Sequence, residues 1–446
     1  MTERLIVVGG VAAGMSAASK AKRANPNLDV VVYEKSLFIS YGACGMPYLI
    51  AGDVADYRDL LARTPEQMAK RGVKVHVRHE VMAIDAGART VTVRDLAQGR
   101  TFTQAYDKLV VATGAAPIRP PVPGVDLEGV CVLRSLEDGR ALLRLIEERR
   151  PQRAVIVGGG YIGLEMAETF RRLGMATTMM IRSGQVMRQT LDDDVRVVVE
   201  DELARCDVTV VQGTLTGFEG DGWVEAALTD EGRYPCDVAL LGIGVRPVVE
   251  LARQVGVRLG KTGAIATDHH MRTNLPGVYA AGDCAEVHHL LTGEPAYIPL
   301  GSTANKQGRT AGAHAAGDDA SFAGVVGTLI VRVFDLAVAS TGLTSAAARS
   351  RGYAVAETNI QAQDVSHYFP GAADIHVKLI VDEDTERLLG GQIVGRPSAI
   401  KRIDVLATAL HHGLTVSDLQ RLDLSYAPPF APVWDPLLVA ANVAGR

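Results

Sequence analysis

Two glycine-punctuated loops, each closing a short apolar run and opening a helix of small residues, constrain this chain more than any other feature. The first reads Leu5-Ile-Val-Val-Gly-Gly-Val-Ala-Ala-Gly14 and the second Ala154-Val-Ile-Val-Gly-Gly-Gly-Tyr-Ile-Gly163. A four-residue apolar run ending in glycine predicts a parallel strand covered on both faces. Around the first loop the pattern predicts a strand over 5–8, a helix over 12–24 and a strand over 29–33. Around the second it predicts a strand over 154–157, a helix over 161–173 and a strand over 176–181. Each set is a βαβ unit of about 30 residues, the size of a mononucleotide-binding half. The expected fold class is therefore α/β, with two doubly wound dinucleotide-binding domains.

The second loop satisfies G-x-G-x-x-G with Gly158, Gly160 and Gly163. Its glycines allow the tight turn, the approach of backbone to a pyrophosphate, and close packing of helix on strand. The first loop keeps Gly9 and Gly14 but has Val11 at the middle position, with Gly10 one residue early. Glu34, 20 residues after Gly14, ends the next strand, where a carboxylate accepts hydrogen bonds from a ribose diol. The corresponding place in the second unit is Ile181-Arg182-Ser183, and an arginine there accommodates a 2′-phosphate. NADPH or NADH is expected at that site. Gly282-Asp283 follows a third strand and precedes a helix-like segment, a setting suited to holding a flavin ribityl hydroxyl.

Five cysteines are scattered as Cys44, Cys131, Cys206, Cys236 and Cys284, with no close pair and no metal-ligand spacing, so neither a disulfide framework nor a metal is expected. Four of them have no distinctive setting and read as structural. Cys44 lies in Ser40-Tyr-Gly-Ala-Cys-Gly-Met-Pro-Tyr48, among turn residues of little bulk, which suits close approach to a flavin ring or substrate. A chain of 446 residues exceeds one compact core, and a net charge of −5 does not suggest a nucleic-acid or membrane surface as the main partner. No apolar stretch approaches the roughly 18 residues of a membrane span. The N-terminal apolar run is broken by glycines and closed by Lys20, Lys22 and Arg23, unlike a secretory signal, so a reducing cytoplasm is expected.

The prolines at 117, 120, 121 and 123 mark a domain crossing. In the last 120 residues, 374–381 and 388–394 flank a polar turn and predict an antiparallel hairpin. Residues 398–412 predict an amphipathic helix capped by Ser398 and terminated by Gly413.

These residues together resemble the pyridine nucleotide-disulfide oxidoreductases over essentially the whole chain. Within them the chain resembles the single-cysteine branch, and the coenzyme A disulfide reductases in particular. Leu49 stands where relatives with a Cys-x4-Cys pair carry the second cysteine. Tyr368-Phe-Pro-Gly371 and Tyr426-Ala-Pro-Pro-Phe430 also match. The resemblance implies a first part of an FAD-binding domain over 1–115, an NAD(P)H-binding domain over 116–244, the second FAD part over 245–322, and an α+β dimerisation domain over 323–446. It implies Cys44 as the redox centre, with Tyr368 and Tyr426 of the partner subunit of a homodimer facing it. Ser16, Lys20, Arg23, Ser40 and Asn305 would line a coenzyme A site, and Glu165 would stand beside the nicotinamide. Lys35, Val81, Thr113, Gly114, Tyr161, Ile162 and Gly244 complete the cofactor-binding set. Ala43 and Trp434 depart from residues that relatives use near the cysteine and the substrate, which leaves the thiol substrate open. The expected activity is electron transfer from NAD(P)H through FAD and Cys44 to coenzyme A disulfide or a related persulfide or polysulfide. The alternatives are an oxidase or peroxidase cycling Cys44 through a sulfenic acid, and a flavin-bound redox sensor.

Overall fold

The computed structural model describes residues 2–445. Its first sheet is parallel, with strands in the order Val278–Ala280, Lys108–Val111, Arg4–Val8, Asp29–Glu34, Val73–Val77. Leu5, Ile6 and Val7 are fully buried because both faces of this sheet are covered. Leu5 and Val7 face helices Ala12–Ala24 and Gly301–Ala315, while Ile6 and Val8 face an antiparallel three-stranded sheet over 79–105. The second sheet repeats the design, in the order Val208–Gln212, Ala176–Ile181, Arg153–Val157, Val238–Leu241, Val130–Cys131, again all parallel. A third sheet is antiparallel, in the order Leu329–Val333, Leu336–Gly342, Leu388–Gly395, Asp374–Asp382, Val355–Gln363. The hairpin expected around the polar turn forms the two adjacent strands Asp374–Asp382 and Leu388–Gly395 of this last sheet.

The start of helix Asp193–Arg205, in the second domain, meets the third sheet through an ion cluster around a buried lysine. Lys378, only 2% exposed at its side chain, reaches Asp194 at 2.7 Å, Asp192 at 3.3 Å and Glu357 at 2.5 Å. Burying one ammonium among three carboxylates is tolerable because each charge keeps a partner. Lys378 and Arg349, in that order among its attractive partners, hold the Glu357 carboxyl at about 2 against the cost of burial.

Two expected elements differ. The helix foreseen directly after Asp283 is absent there, and the chain instead forms short bridges over 287–296 before helix Gly301–Ala315 begins. Ser398 caps nothing. Residues Ile400–Arg402 make a 3-10 turn, and the α-helix runs Ile403–His412 from Arg402 without a side-chain cap. Tertiary contacts set that start, because the Arg402 guanidinium is engaged by Asp435 at 2.8 Å and the Asp364 carbonyl at 2.9 Å. Gly413 terminates the helix in the left-handed conformation, as expected.

Helix Gly301–Ala315 lies directly on helix Ala12–Ala24 because two of its residues lack a Cβ. A Cβ on Gly308 would stand 2.2 Å from the Ala13 carbonyl oxygen, and one on Gly312 would stand 2.1 Å from that of Ala17. Gly308→Ala should therefore force the helices apart and cost about 1–3 kcal/mol, read as a lower midpoint in urea unfolding.

Candidate active site

Both nucleotide loops are built as anion cradles. Gly9 has φ +106°, and a Cβ on Gly14 would lie 1.8 Å from the Gly9 oxygen, so helix Ala12–Ala24 starts hard against the strand end. Val11 precedes that helix and Gly160 precedes Tyr161–Arg172, and neither helix has a side-chain cap. First-turn N–H groups without a side-chain acceptor point at the loops, which is the arrangement that binds pyrophosphate. A Cβ on Gly160 would meet nothing within 4 Å, so the approach to this loop is open.

Glu34 ends its strand with the carboxylate held by the Gly10 N–H at 2.6 Å and the Ser36 N–H at 2.7 Å. It is fixed beside the first loop, where a ribose would arrive. At the end of strand Val278–Ala280, the Gly282 N–H donates to Gln307 Oε1 at 2.9 Å, and Asp283 pairs with Arg134 at 2.7 Å. Burial raises the Asp283 pKa and Arg134 opposes it. Arg134 also donates to the Ala115 carbonyl at 3.2 Å, so it bridges the two halves of the chain at this point. The residues fit a flavin dinucleotide: a glycine cradle, a strand-end carboxylate and a second acid with a cation beside it. Arg134 and Gln307 carry no sequence signal, since neither belongs to a motif.

Cys44 sits in the 3-10 turn Ala43–Gly45, immediately before the short helix Met46–Ile50, and is exposed with its thiol free. Cys236 and Cys284 are buried, and Cys131 and Cys206 are half-buried. Desolvation raises the Cys44 pKa, the Glu165 carboxylate raises it further, and Arg134 lowers it. Ser40 enters this segment with φ +48°, a conformation rare outside glycine, and its N–H donates to the Gly10 carbonyl at 2.9 Å. The redox segment is thus tied to the first nucleotide loop.

Glu165 lies one turn into helix Tyr161–Arg172 and accepts the Tyr48 hydroxyl at 3.3 Å. Its pKa is pushed up to about 7, chiefly by burial, with Tyr48 and Arg332 acting in the opposite direction and Glu168 in the same one. Tyr48 itself is pushed up to about 12, by burial first and then by Glu165. Sequence reading quoted Tyr48 only as part of a pattern and gave it no role.

Ser16, Arg23, Ser40 and Asn305 come together with Ser19 and Arg309 around a groove of about 290 Å³. Ser16 Oγ meets Asn305 Oδ1 at 2.6 Å across the two glycine-packed helices. Lys20 is not on this groove, and its ammonium is turned to Asp318 at 3.2 Å. Arg309 was missed because it lies almost 290 residues from Arg23 in sequence and only helix packing joins them. Neither Arg23 nor Arg309 has an ion pair among the described residues.

Tyr368 and Tyr426 sit together on the third domain, and the proximity of Tyr368 raises the Tyr426 pKa. The Ser366 N–H to Pro428 carbonyl bond at 3.3 Å stitches their loops together. Around them Phe430, Val433 and Trp434 are 77%, 65% and 60% exposed, an apolar surface of the kind that marks an interface. Arg182 directly follows strand Ala176–Ile181 and is exposed to solvent. Tyr161, Ile162 and Gly163 form the first turn after the second loop, with Gly244 at φ +114° after the neighbouring strand. Val81 is buried, and the Thr113 hydroxyl donates to the Val248 carbonyl at 2.6 Å next to Gly114. Lys35 is exposed beyond Glu34. Among the described residues no cluster of metal-ligating side chains occurs, and no helix is long and apolar enough to cross a membrane.

Comparison with known proteins places the chain among characterised relatives. The chain is 41% identical over 444 residues to the NAD(P)H coenzyme A polysulfide/persulfide reductase of Pyrococcus horikoshii, covering 99% of this chain and 98% of that one. The crystal structure of reduced Bacillus anthracis CoADR-RHD superposes with TM-score 0.97 at 34% identity, over 100% of this chain and 80% of that one. A NAD-dependent persulfide reductase from A. fulgidus superposes with TM-score 0.96 at 37% identity, over 99% of this chain and 83% of that one. Residues 3–320 match the pyridine nucleotide-disulphide oxidoreductase family and 328–436 match its dimerisation domain, so the chain is a member of that family.

Proposed function

We propose that this protein is a homodimeric FAD enzyme that carries electrons from NAD(P)H to coenzyme A disulfide or a related coenzyme A persulfide, with Cys44 as the exchanging thiol. The observation that carries this reading is the groove of Ser16, Arg23, Ser40, Asn305 and Arg309, which runs to Gly42, two residues before the exposed Cys44. Two arginines without carboxylate partners suit a substrate bearing several phosphates.

The Cys44 thiolate attacks one sulfur of the disulfide. The S–S bond breaks, a Cys44–coenzyme A mixed disulfide forms, and the other coenzyme A leaves as a thiolate. Tyr368 and Tyr426, presented by the partner subunit through the exposed apolar surface, hydrogen-bond and protonate that leaving thiolate. FAD, when bound along the first glycine loop, Glu34 and Asp283, supplies the two-electron relay from the nicotinamide to the mixed disulfide. Glu165 borders the nicotinamide, and its carboxylate favours the positive charge that develops on that ring as hydride departs. The balance is one NAD(P)H, one proton and one disulfide giving NAD(P)+ and two thiols.

A second reading, reduction of oxygen or peroxide through a Cys44 sulfenic acid, uses the same exposed thiol. It leaves the cationic groove without a purpose.

Three outcomes are expected. Anaerobic turnover with coenzyme A disulfide should occur and should vanish in Cys44→Ser, while the flavin stays bound; persistent disulfide turnover in that variant would falsify the assignment. Glu165→Gln removes a negative charge that holds the Cys44 pKa up, so the thiol pKa should fall and alkylation by iodoacetamide near pH 8 should quicken several-fold. The third concerns the nicotinamide. Arg182 and Arg188 flank a loop pinned by the Met187 N–H to the Gly159 carbonyl at 2.8 Å, and no carboxylate lies between Ile181 and Leu191. This charge pattern favours NADPH, and Arg182→Asp should lower kcat/KM for NADPH relative to NADH by roughly tenfold or more.

A further inference from the structure

Arg332 belongs to strand Leu329–Val333 of the dimerisation domain, yet its guanidinium ends under the redox segment. It pairs with Asp53 at 2.8 Å and with Glu168 at 2.6 Å. Its central carbon Cζ lies over the Tyr48 ring, 4.9 Å from the centroid. Arg172 closes the cluster, reaching Asp53 at 2.6 Å and Glu168 at 3.7 Å. The Phe334 N–H donates to the other Glu168 oxygen at 3.0 Å, which fixes the turn that carries Arg332. Val331 and Val333, on either side, pack in the same core as Met46, Leu49 and Ile50 of the cysteine helix and Leu164 and Phe170 of the nucleotide helix.

Three elements therefore converge. The cysteine segment contributes Cys44, Tyr48 and Asp53, the nucleotide helix contributes Glu165, Glu168 and Arg172, and the dimerisation strand contributes Arg332. Asp53, Glu168, Arg172 and Arg332 are mutually neutral. Glu165 stands outside that balance, with the Tyr48 hydroxyl as its hydrogen-bond donor. A staple between domains would need only the carboxylate pairs. The cation–π contact with Tyr48 is additional, and the Tyr48 hydroxyl leads to Glu165.

We propose that Arg332 is a positioning residue for the nicotinamide half of the reaction: from the dimerisation domain it holds the Tyr48 ring, and through the Tyr48 hydroxyl it fixes the Glu165 carboxyl. The inference rests on the reading that Glu165 borders the nicotinamide. Arg332 and Tyr48 both favour the ionised form of Glu165, so loss of either moves its midpoint upward from about 7.

The test uses the holoenzyme and follows flavin reduction by NADPH, anaerobically, across pH. Wild type should show an inflection near 7 that Glu165→Gln abolishes. Arg332→Gln and Tyr48→Phe should each shift the inflection to higher pH and slow reduction several-fold at pH 7, with the loss shrinking as pH rises. Arg332→Lys, which keeps the charge without the planar face, should restore the inflection partly. Infrared titration of the protonated carboxyl band that is missing in Glu165→Gln gives the same midpoint without nicotinamide. A lower melting temperature in Arg332→Gln with both midpoints unmoved would reduce Arg332 to a domain staple and overturn the proposal. If Arg332→Gln does not fold, an unmoved midpoint in Tyr48→Phe overturns it equally. Absence of coenzyme A disulfide turnover alongside a shifted midpoint would sink the proposed substrate and leave this inference standing.

Discussion

The four-charge cluster of Asp53, Glu168, Arg172 and Arg332 is the interaction on which the site depends, because it fastens the cysteine segment to two other domains at once. The segment around Cys44 has little structure of its own: a 3-10 turn and a helix of five residues. Elements that short do not hold a geometry unaided. Glu168 is buried, and its removal would leave both arginines sharing Asp53 alone. Asp53 is held well below the usual carboxylate range by Arg172 first and then Arg332, which keeps the cluster charged across the working pH range.

The same economy governs the nucleotide sites. Each is a strand end, a glycine turn and an uncapped helix start, so the backbone supplies the anion cradle and side chains refine it. The refinements differ between the two copies. Glu34 closes the first with a carboxylate held by two N–H groups, and Arg182 leaves the second positive. One supersecondary unit thus occurs twice, with opposite charge just at or beyond the end of its second strand.

The elements legible in sequence were those with a strong local period or a sterically forced residue. Both βαβ units, the 374–395 hairpin and the Gly413 stop emerged where expected, because buried strands need apolar runs and a left-handed stop needs glycine. Ser398 misled because cap chemistry is a local preference, and Arg402 was claimed by Asp435 and the Asp364 carbonyl. The segment after Asp283 misled because Val287, Leu290 and Leu291 stand at helical spacing, whereas the chain pairs Val287 with Ala296 and His288 with Pro295. Lys20 and Arg23 are three residues apart on one helix, close to a common face, yet Asp318 draws the Lys20 ammonium away.

The sequence alone determined the fold class, the two glycine loops, the setting of Cys44 and the family, since each is written in residues adjacent along the chain. Only tertiary structure decided which distant charges meet: Arg309 with Arg23, Arg134 with Asp283, and Arg332 with Tyr48 and Glu168. The physical reason is range. Backbone conformation and burial period are settled over a few residues, whereas a Coulomb or stacking partner is set by packing between elements that may lie nearly 300 residues apart.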